Sequence, residues 1–235
     1  VPERATIANM GAECGVTCSI FPSDEVTQKF MEAQGRVADW KELKADPDAS
    51  YAKTVQIDLA ALEPLAAAPH SPDNVVTVAK LAGMKVDQVL IGSCTNSSYR
   101  DLRTVAKILE GKKVHPHVSL GIAPGSRQVL KMLAEDGSLA IFLSAGARLL
   151  ENACGFCIGN SLAPETDAVS LRTSNRNFEG RSGTKSAKVY LVSPEIAALA
   201  AVNGRVIDPI TMTTEKYPAV REPKTFEIDD SLFIR

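Results

Sequence analysis

Val86-Asp87-Gln88-Val89-Leu90-Ile91-Gly92-Ser93-Cys94-Thr95-Asn96-Ser97-Ser98-Tyr99 runs from an apolar, β-branched stretch into a loop of small polar residues, and a helix-patterned stretch follows to Leu109. The run to Ile91 predicts a buried strand that Gly92 ends, and the apolar residues from Tyr99 to Leu109 recur at helical spacing up to Gly111. The same succession returns as a strand over Val118–Ile122, a loop at Pro124-Gly125-Ser126 and a helix over Arg127–Ala134. Strands that alternate with helices predict an α/β fold, a three-layer α/β/α arrangement whose mostly parallel sheet is covered on both faces.

The pattern continues downstream. Ala168–Thr173 and Lys188–Val192 read as strands, and Ser193-Pro194-Glu195 supplies an N-cap, a first-turn proline and an early carboxylate for a helix that Gly204 closes. Residues 139–150 are a short apolar run that does not reveal its own period, so helix and strand both stay open there. Upstream, Asn9–Ser19 reads as a loop, Ser23 or Asp24 as the cap of a helix running to Gly35, and Val55–Leu59 as an alternating strand. Pro69 and Pro72 make Leu65–Pro72 the expected linker, which divides the chain into units 1–72 and 73–235.

Composition narrows the function classes. The 235 residues are 45% hydrophobic with a net charge of −2, enough for a sizeable core and too balanced to argue for nucleic acid or a lipid surface. The longest apolar runs, such as Ile196–Val202, fall far short of the roughly 20 residues that cross a bilayer. An odd count of five cysteines in a chain of this size fits a reducing interior, the cytoplasm or a mitochondrial matrix. Val1-Pro2-Glu3-Arg4 resembles no signal peptide, and it reads as a cut or processed end within something longer.

The chemistry concentrates on thiols. Cys94 lies in the loop after a predicted strand, and Cys154 and Cys157 form a C-x-x-C about sixty residues later. Three thiols are one short of a closed tetrahedral zinc site or a four-thiolate cluster, and an open coordination position is what metal catalysis requires. From spacing alone, a redox pair, half of a zinc site and an iron–sulfur site all remain open. His115 and His117 offer only a weak H-x-H, read as solvated loop histidines.

The words around the thiols carry more information. Gly92-Ser93-Cys94-Thr95-Asn96-Ser97, Ala153-Cys154-Gly155-Phe156-Cys157-Ile158-Gly159-Asn160 and Ser174-Asn175-Arg176-Asn177-Phe178-Glu179-Gly180-Arg181 occur in that order. With Asn9-Met10-Gly11-Ala12-Glu13 upstream and Ser193-Pro194-Glu195-Ile196 downstream, the chain resembles the aconitase superfamily of iron–sulfur hydro-lyases over nearly its whole length. The resemblance implies that Cys94, Cys154 and Cys157 hold a [4Fe-4S] cluster whose fourth iron meets substrate and water. It implies that Asn175 lies beside the cluster and that Arg176 and Arg181 bind substrate carboxylates, a task suited to a guanidinium fork. Glu13 matches a carboxylate near the iron-bound hydroxyl or water, and Asn9 lies in the same loop.

Within the superfamily, Met10-Gly11-Ala12-Glu13 and Cys94-Thr95-Asn96-Ser97-Ser98-Tyr99 look more like aconitase than like isopropylmalate dehydratase or homoaconitase. The expected reaction is therefore the interconversion of citrate and isocitrate through cis-aconitate, with the other two enzymes as alternatives and a non-catalytic metal-binding module as a further one. Phe156 departs from the Gly-Pro version of that motif, which suggests another branch. In the family, further acid/base groups come from an N-terminal domain and a C-terminal domain, and neither set is visible here. The expected partners are a small tricarboxylic acid and the remaining aconitase domains. Cys14 and Cys18 match no ligand, and packing is the expectation for both.

Overall fold

In the computed structural model the elements are, in chain order, α1 Pro2–Met10, α2 Glu25–Ala33, β1 Leu65–Ala67, β2 Val75–Thr77, α3 Val78–Leu81, β3 Gln88–Gly92 and α4 Tyr99–Leu109. They continue with β4 Ser119–Ala123, α5 Arg127–Glu135, α6 Ser138–Ala145, β5 Arg148–Leu149, β6 Val169–Arg172, β7 Lys188–Leu191 and α7 Pro194–Asn203. The structure describes residues 1–212, 218–221, 223–229 and 231, so the far end of the expected unit 73–235 lies partly outside the described residues.

Every residue of β3 is buried, as the apolar run Val89–Ile91 predicts for a central parallel strand, and its one polar side chain, Gln88, is buried with it. The sheet order is β2-β1-β7-β6-β3-β4-β5. From β7 to β5 all pairings are parallel, and β1 joins β7 and β2 antiparallel at the far edge. The expectation of an α/β fold with a mostly parallel sheet therefore holds.

Period-two alternation sorts the central strands between two faces. Val89 and Ile91 of β3, Leu120 and Ile122 of β4 and Leu171 of β6 join a large core with α4, α5, α6 and α7. Leu90 and Ala123 face the other way, onto Leu150, Phe156, Cys157 and Leu162. One face is thus sealed by helices, and the cysteine-bearing segment itself seals part of the other. α7 is apolar around most of its circumference and buries Ile196, Ala197, Ala198, Leu199, Ala200 and Ala201. A fully buried Ile or Leu stabilises such a layer by about 1.5–3 kcal/mol.

Local caps act where the sequence places them. Asp24 accepts from Val26 N and Thr27 N at the start of α2, and its carboxylate also pairs with Arg4 at 2.6 Å, tying α2 to α1. That pairing holds the Asp24 carboxyl well below the usual carboxylate range. Ser98 and Asp101 form a reciprocal capping box on α4. Ser193 caps α7, and Gly204 ends it in the left-handed conformation at φ 68°.

Four expectations need correction. Asn9–Ser19 is not a loop throughout: Asn9 and Met10 end α1, and Gly11–Cys14 continues as a 3-10 turn. Pro2 at the first turn is the start signal for that helix. Val55–Leu59 forms no strand, because nothing lies against its apolar positions: Val55, Ile57 and Leu59 are 69%, 63% and 78% exposed. The expected linker at Leu65–Pro72 begins with β1, whose pairing with β7 places it in the same sheet as the rest. Cys14 and Cys18 are exposed and not packed. The open segment 139–150 resolves into α6 followed by β5, with Gly146 at φ 100° as the break between them. Among the described residues no helix is long and apolar enough to cross a membrane.

Two stability outcomes follow. Ser98→Ala removes the acceptor for Asp101 N and should lower the unfolding free energy by about 1 kcal/mol in a denaturant titration. Gly92→Ala should cost more than about 2 kcal/mol or abolish soluble protein, because a Cβ there lies 1.9 Å from the Ala123 carbonyl oxygen at a φ of 107°.

Candidate iron–sulfur site at the sheet switch point

From β3 the chain moves outward through β4 to β5, then returns to the opposite side of β3 as β6 and continues to β7. The sheet therefore reverses its winding direction between β3 and β6. In open α/β sheets the crevice beyond the carboxyl ends of the strands at such a reversal is the usual ligand site. The loop after β3 carries Cys94, and the loop after β6 carries Asn175 and Arg176. Since β5 is parallel to β4, its short length is enough to send the Cys154–Cys157 segment off the same end of the sheet.

Backbone constraints shape the first loop. Ser93 and Asn96 adopt φ values of 94° and 52°, left-handed conformations on either side of Cys94-Thr95. Three hydrogen bonds hold them there. Gly92 N donates to Thr173 Oγ1 at 2.8 Å, Asn96 Nδ2 donates to the Thr173 carbonyl at 2.7 Å, and Ser97 Oγ donates to the Ser93 carbonyl at 2.6 Å. The loops after β3 and β6 are therefore one braced unit.

Seven of the eight site residues expected from the sequence fall into three small groups, and Cys154 is exposed and in none of them. Asn175 Nδ2 donates to Asn9 Oδ1 at 2.9 Å, Thr95 Oγ1 donates to Asn175 Oδ1 at 3.5 Å, and Asn9 Nδ2 points to Cys94 Sγ at 3.8 Å. Arg181 Nη2 points to Cys157 Sγ at 3.7 Å, while its guanidinium carbon stands 5.5 Å from the Phe178 ring centroid. Arg176 Nε pairs with Glu13 Oε1 at 2.5 Å, and both side chains are largely covered. Because Asn175 and Arg176 are adjacent, the first and third groups share one loop.

The C-x-x-C segment is held by close approach. Phe156–Ile158 is a 3-10 turn, and Gly159 follows at φ 78° with its backbone against Ser182, where a Cβ would meet the carbonyl oxygen at 2.2 Å. Only glycine permits that contact. Thr184 Oγ1 adds a 2.6 Å bond to the Pro164 carbonyl, so the cysteine segment and the Arg181 loop dock on each other. Cys157 is buried, whereas Cys94 and Cys154 are exposed.

The residues suit a thiolate-bound anionic cluster. All three cysteines are free, Cys94 and Cys157 face polar N–H groups, and Ser93 Oγ next to Cys94, Ser174 Oγ next to Asn175 and the Nε of Arg181 are buried without a hydrogen-bond partner. Buried donors left without a partner are unusual, and they match an acceptor-rich group. Among the described residues no three His, Cys, Asp or Glu side chains converge on a single metal ion. A multi-iron cluster asks less of its thiolates, since each binds a different iron. His115 and His117 lie elsewhere, ring against ring at 4.1 Å, with His115 packed behind Gly204.

Sequence reasoning missed Thr95 and Arg172. Thr95 is an unremarkable residue until its bond to Asn175 is seen. Arg172 did carry a signal, as a lone charge ending the apolar run of β6, and it is wholly buried.

A family model for the aconitase family (aconitate hydratase) matches residues 1–204. The large subunit 2 of 3-isopropylmalate dehydratase from Archaeoglobus fulgidus is 43% identical over 210 residues, 89% of this chain and 50% of that protein. The homoaconitase large subunit of Thermus thermophilus is 45% identical over 221 residues, 92% of this chain and 51% of that protein. The large subunit 1 of 3-isopropylmalate dehydratase from Thermotoga maritima is 43% identical over 212 residues, 89% of this chain and 51% of that protein. The chain spans about half the length of these curated relatives. These relatives are named as isopropylmalate dehydratase and homoaconitase subunits, and not for the citrate–isocitrate reaction expected from Met10-Gly11-Ala12-Glu13 and Cys94–Tyr99. With the family model matched over residues 1–204 and relatives more than 40% identical across most of its length, the chain belongs to the aconitase family of hydro-lyases.

Proposed function

We propose that this chain is the cluster-bearing part of a hydro-lyase large subunit of the 3-isopropylmalate dehydratase and homoaconitase type. Its reaction is the reversible loss and readdition of water on a small hydroxy acid carrying two or more carboxylates. The observation that carries this reading is the contact of Cys94 with Asn9, which Asn175 holds from the loop across the sheet reversal, together with that of Cys157 with Arg181. The names of the relatives supply the substrate class.

Cys94, Cys154 and Cys157 are the residues that would hold a [4Fe-4S] cluster, and when bound it supplies a Lewis-acid iron for departure of hydroxide. The protein's own groups do the remainder of what this chain contributes. Arg176 and Arg181 bind substrate carboxylates and fix which carbon faces the site. Arg176 Nε is engaged by Glu13 Oε1, which leaves the terminal nitrogens of the fork to a carboxylate and sets its angle. Asn175, held by Asn9 and Thr95, presents a fixed amide beside Cys94.

The relatives are named large subunits and are about twice as long as the matched region, so we propose that the proton-abstracting base and further carboxylate contacts come from the rest of such a protein and a separate small subunit. Anaerobic reconstitution with iron and sulfide should give the broad brown absorbance of a cluster, and Cys94→Ser should lose it. A dithiol redox protein using Cys154 and Cys157 would be indifferent to that substitution, and metal analysis would reveal zinc. The 235-residue polypeptide alone should show no hydratase turnover; turnover without a partner would sink the division of labour proposed here.

A further inference from the structure

Arg172 is 0% exposed, and its partners are uncharged. Its Nε donates to Ser170 Oγ at 3.1 Å, Nη2 to Gln88 Oε1 at 3.1 Å and Nη1 to the Phe156 carbonyl at 2.6 Å. Among the described residues it has no carboxylate partner. A guanidinium removed from water with no counter-charge is strongly unfavourable, and neutral acceptors offset that only in part. Burial lowers the Arg172 pKa to about 10 and neighbouring Cys157 acts to raise it, so the group stays charged near neutrality.

The position of this cation is specific. Ser170 Oγ donates to Gln88 Oε1 at 2.7 Å, and Gln88 Nε2 donates to the Ala163 carbonyl at 3.2 Å. Arg172, Ser170 and Gln88 thus form one buried polar group on β6 and β3, on the face sealed by the cysteine segment. That group holds the segment at two points, at Phe156 immediately before Cys157 and at Ala163 beyond it. The guanidinium carbon also lies 5.9 Å from the Phe156 ring centroid. Its hydrogen-bond partners lack an anion, and the thiol of Cys157 belongs to the residue directly after Phe156, whose carbonyl Arg172 binds.

We infer that Arg172 is a positioning residue that ties the Cys154–Cys157 turn to the sheet and serves as the buried counter-cation of the metal–thiolate group held through Cys157. The inference rests on the cluster reading above for its second half only. The tie is a property of the metal-free protein, because every bond named is made within this chain.

The test uses Arg172→Met, which removes charge and fork together, and Arg172→Lys, which keeps the charge and loses the fork. In the metal-free protein, timed iodoacetamide labelling at one pH is followed for each cysteine by mass spectrometry. Cys157 should label far more slowly than Cys94 or Cys154 in the parent protein. In Arg172→Met its rate should rise about tenfold or more, the scale of a lost charged hydrogen bond, while Cys94 keeps its rate; Arg172→Lys should fall between. In the reconstituted protein, loss of the cation should make the cluster's reduction potential more negative in Arg172→Met, and Arg172→Lys should return it toward the parent value. Parent-like labelling of Cys157 in either variant overturns the tie, and an unchanged potential in Arg172→Met overturns the counter-charge. Should Arg172→Met not fold, Arg172→Lys alone decides the tie through Cys157 labelling. A parent protein that takes up no cluster counts against the proposed function, while the labelling rates still judge Arg172 independently.

Discussion

Parallel pairing of β3 with both β4 and β6 is the constraint on which the rest of this structure depends. A strand with parallel neighbours on both sides is buried on both faces, so its side chains are apolar or find a buried hydrogen-bond partner, and all loops leaving its sheet neighbours emerge at one end. The winding reverses at β3, so the loops after β3 and β6 cannot follow each other to the same side. A crevice opens between them. Cys94, Asn175 and Arg176 are functional candidates because they sit on those two loops. The Thr173 hydrogen bonds to Gly92 and Asn96 then keep the crevice from drifting.

The sheet's second face shows how folding and chemistry are joined. Phe156 and Cys157 complete an apolar cluster with Leu90, Ala123 and Leu150. Beside that cluster, Arg172, Ser170 and Gln88 place a polar group in the same layer and engage the carbonyls of the cysteine segment. Packing alone would permit the segment to slide, since apolar contact is non-directional. The guanidinium fork supplies direction. A segment that must hold its side chains in a fixed geometry needs this kind of directional restraint more than it needs additional buried area.

Much of the fold was legible in the residues. The strand, loop and helix at Val86–Leu109, the proline-initiated α7 and the capped α2 all appear where periodicity and caps place them, because those signals are local. The misreadings have a common cause. Val55–Leu59 alternates as a strand does but finds no neighbour to pair with, while Leu65–Ala67 has two strong breakers after it and still pairs, because β7 and β2 lie within reach. Strand formation is decided by a partner distant in sequence, and alternation cannot report whether that partner exists.

For the site, the sequence by itself determined the chemical inventory: free thiols in two separate words, an asparagine and two arginines in a third, and a family membership that those words jointly carry. Residue identity is enough for that, since ligand type and charge are properties of single side chains. Only the tertiary structure decided which residues meet. It paired Arg176 with Glu13, set Asn9 against Asn175 and Cys94, and enclosed Arg172 against Phe156. Each of these depends on the sheet order and on backbone approaches that glycine alone tolerates, at Gly92 and Gly159. Such contacts join residues many positions apart, so no local pattern along the chain encodes them.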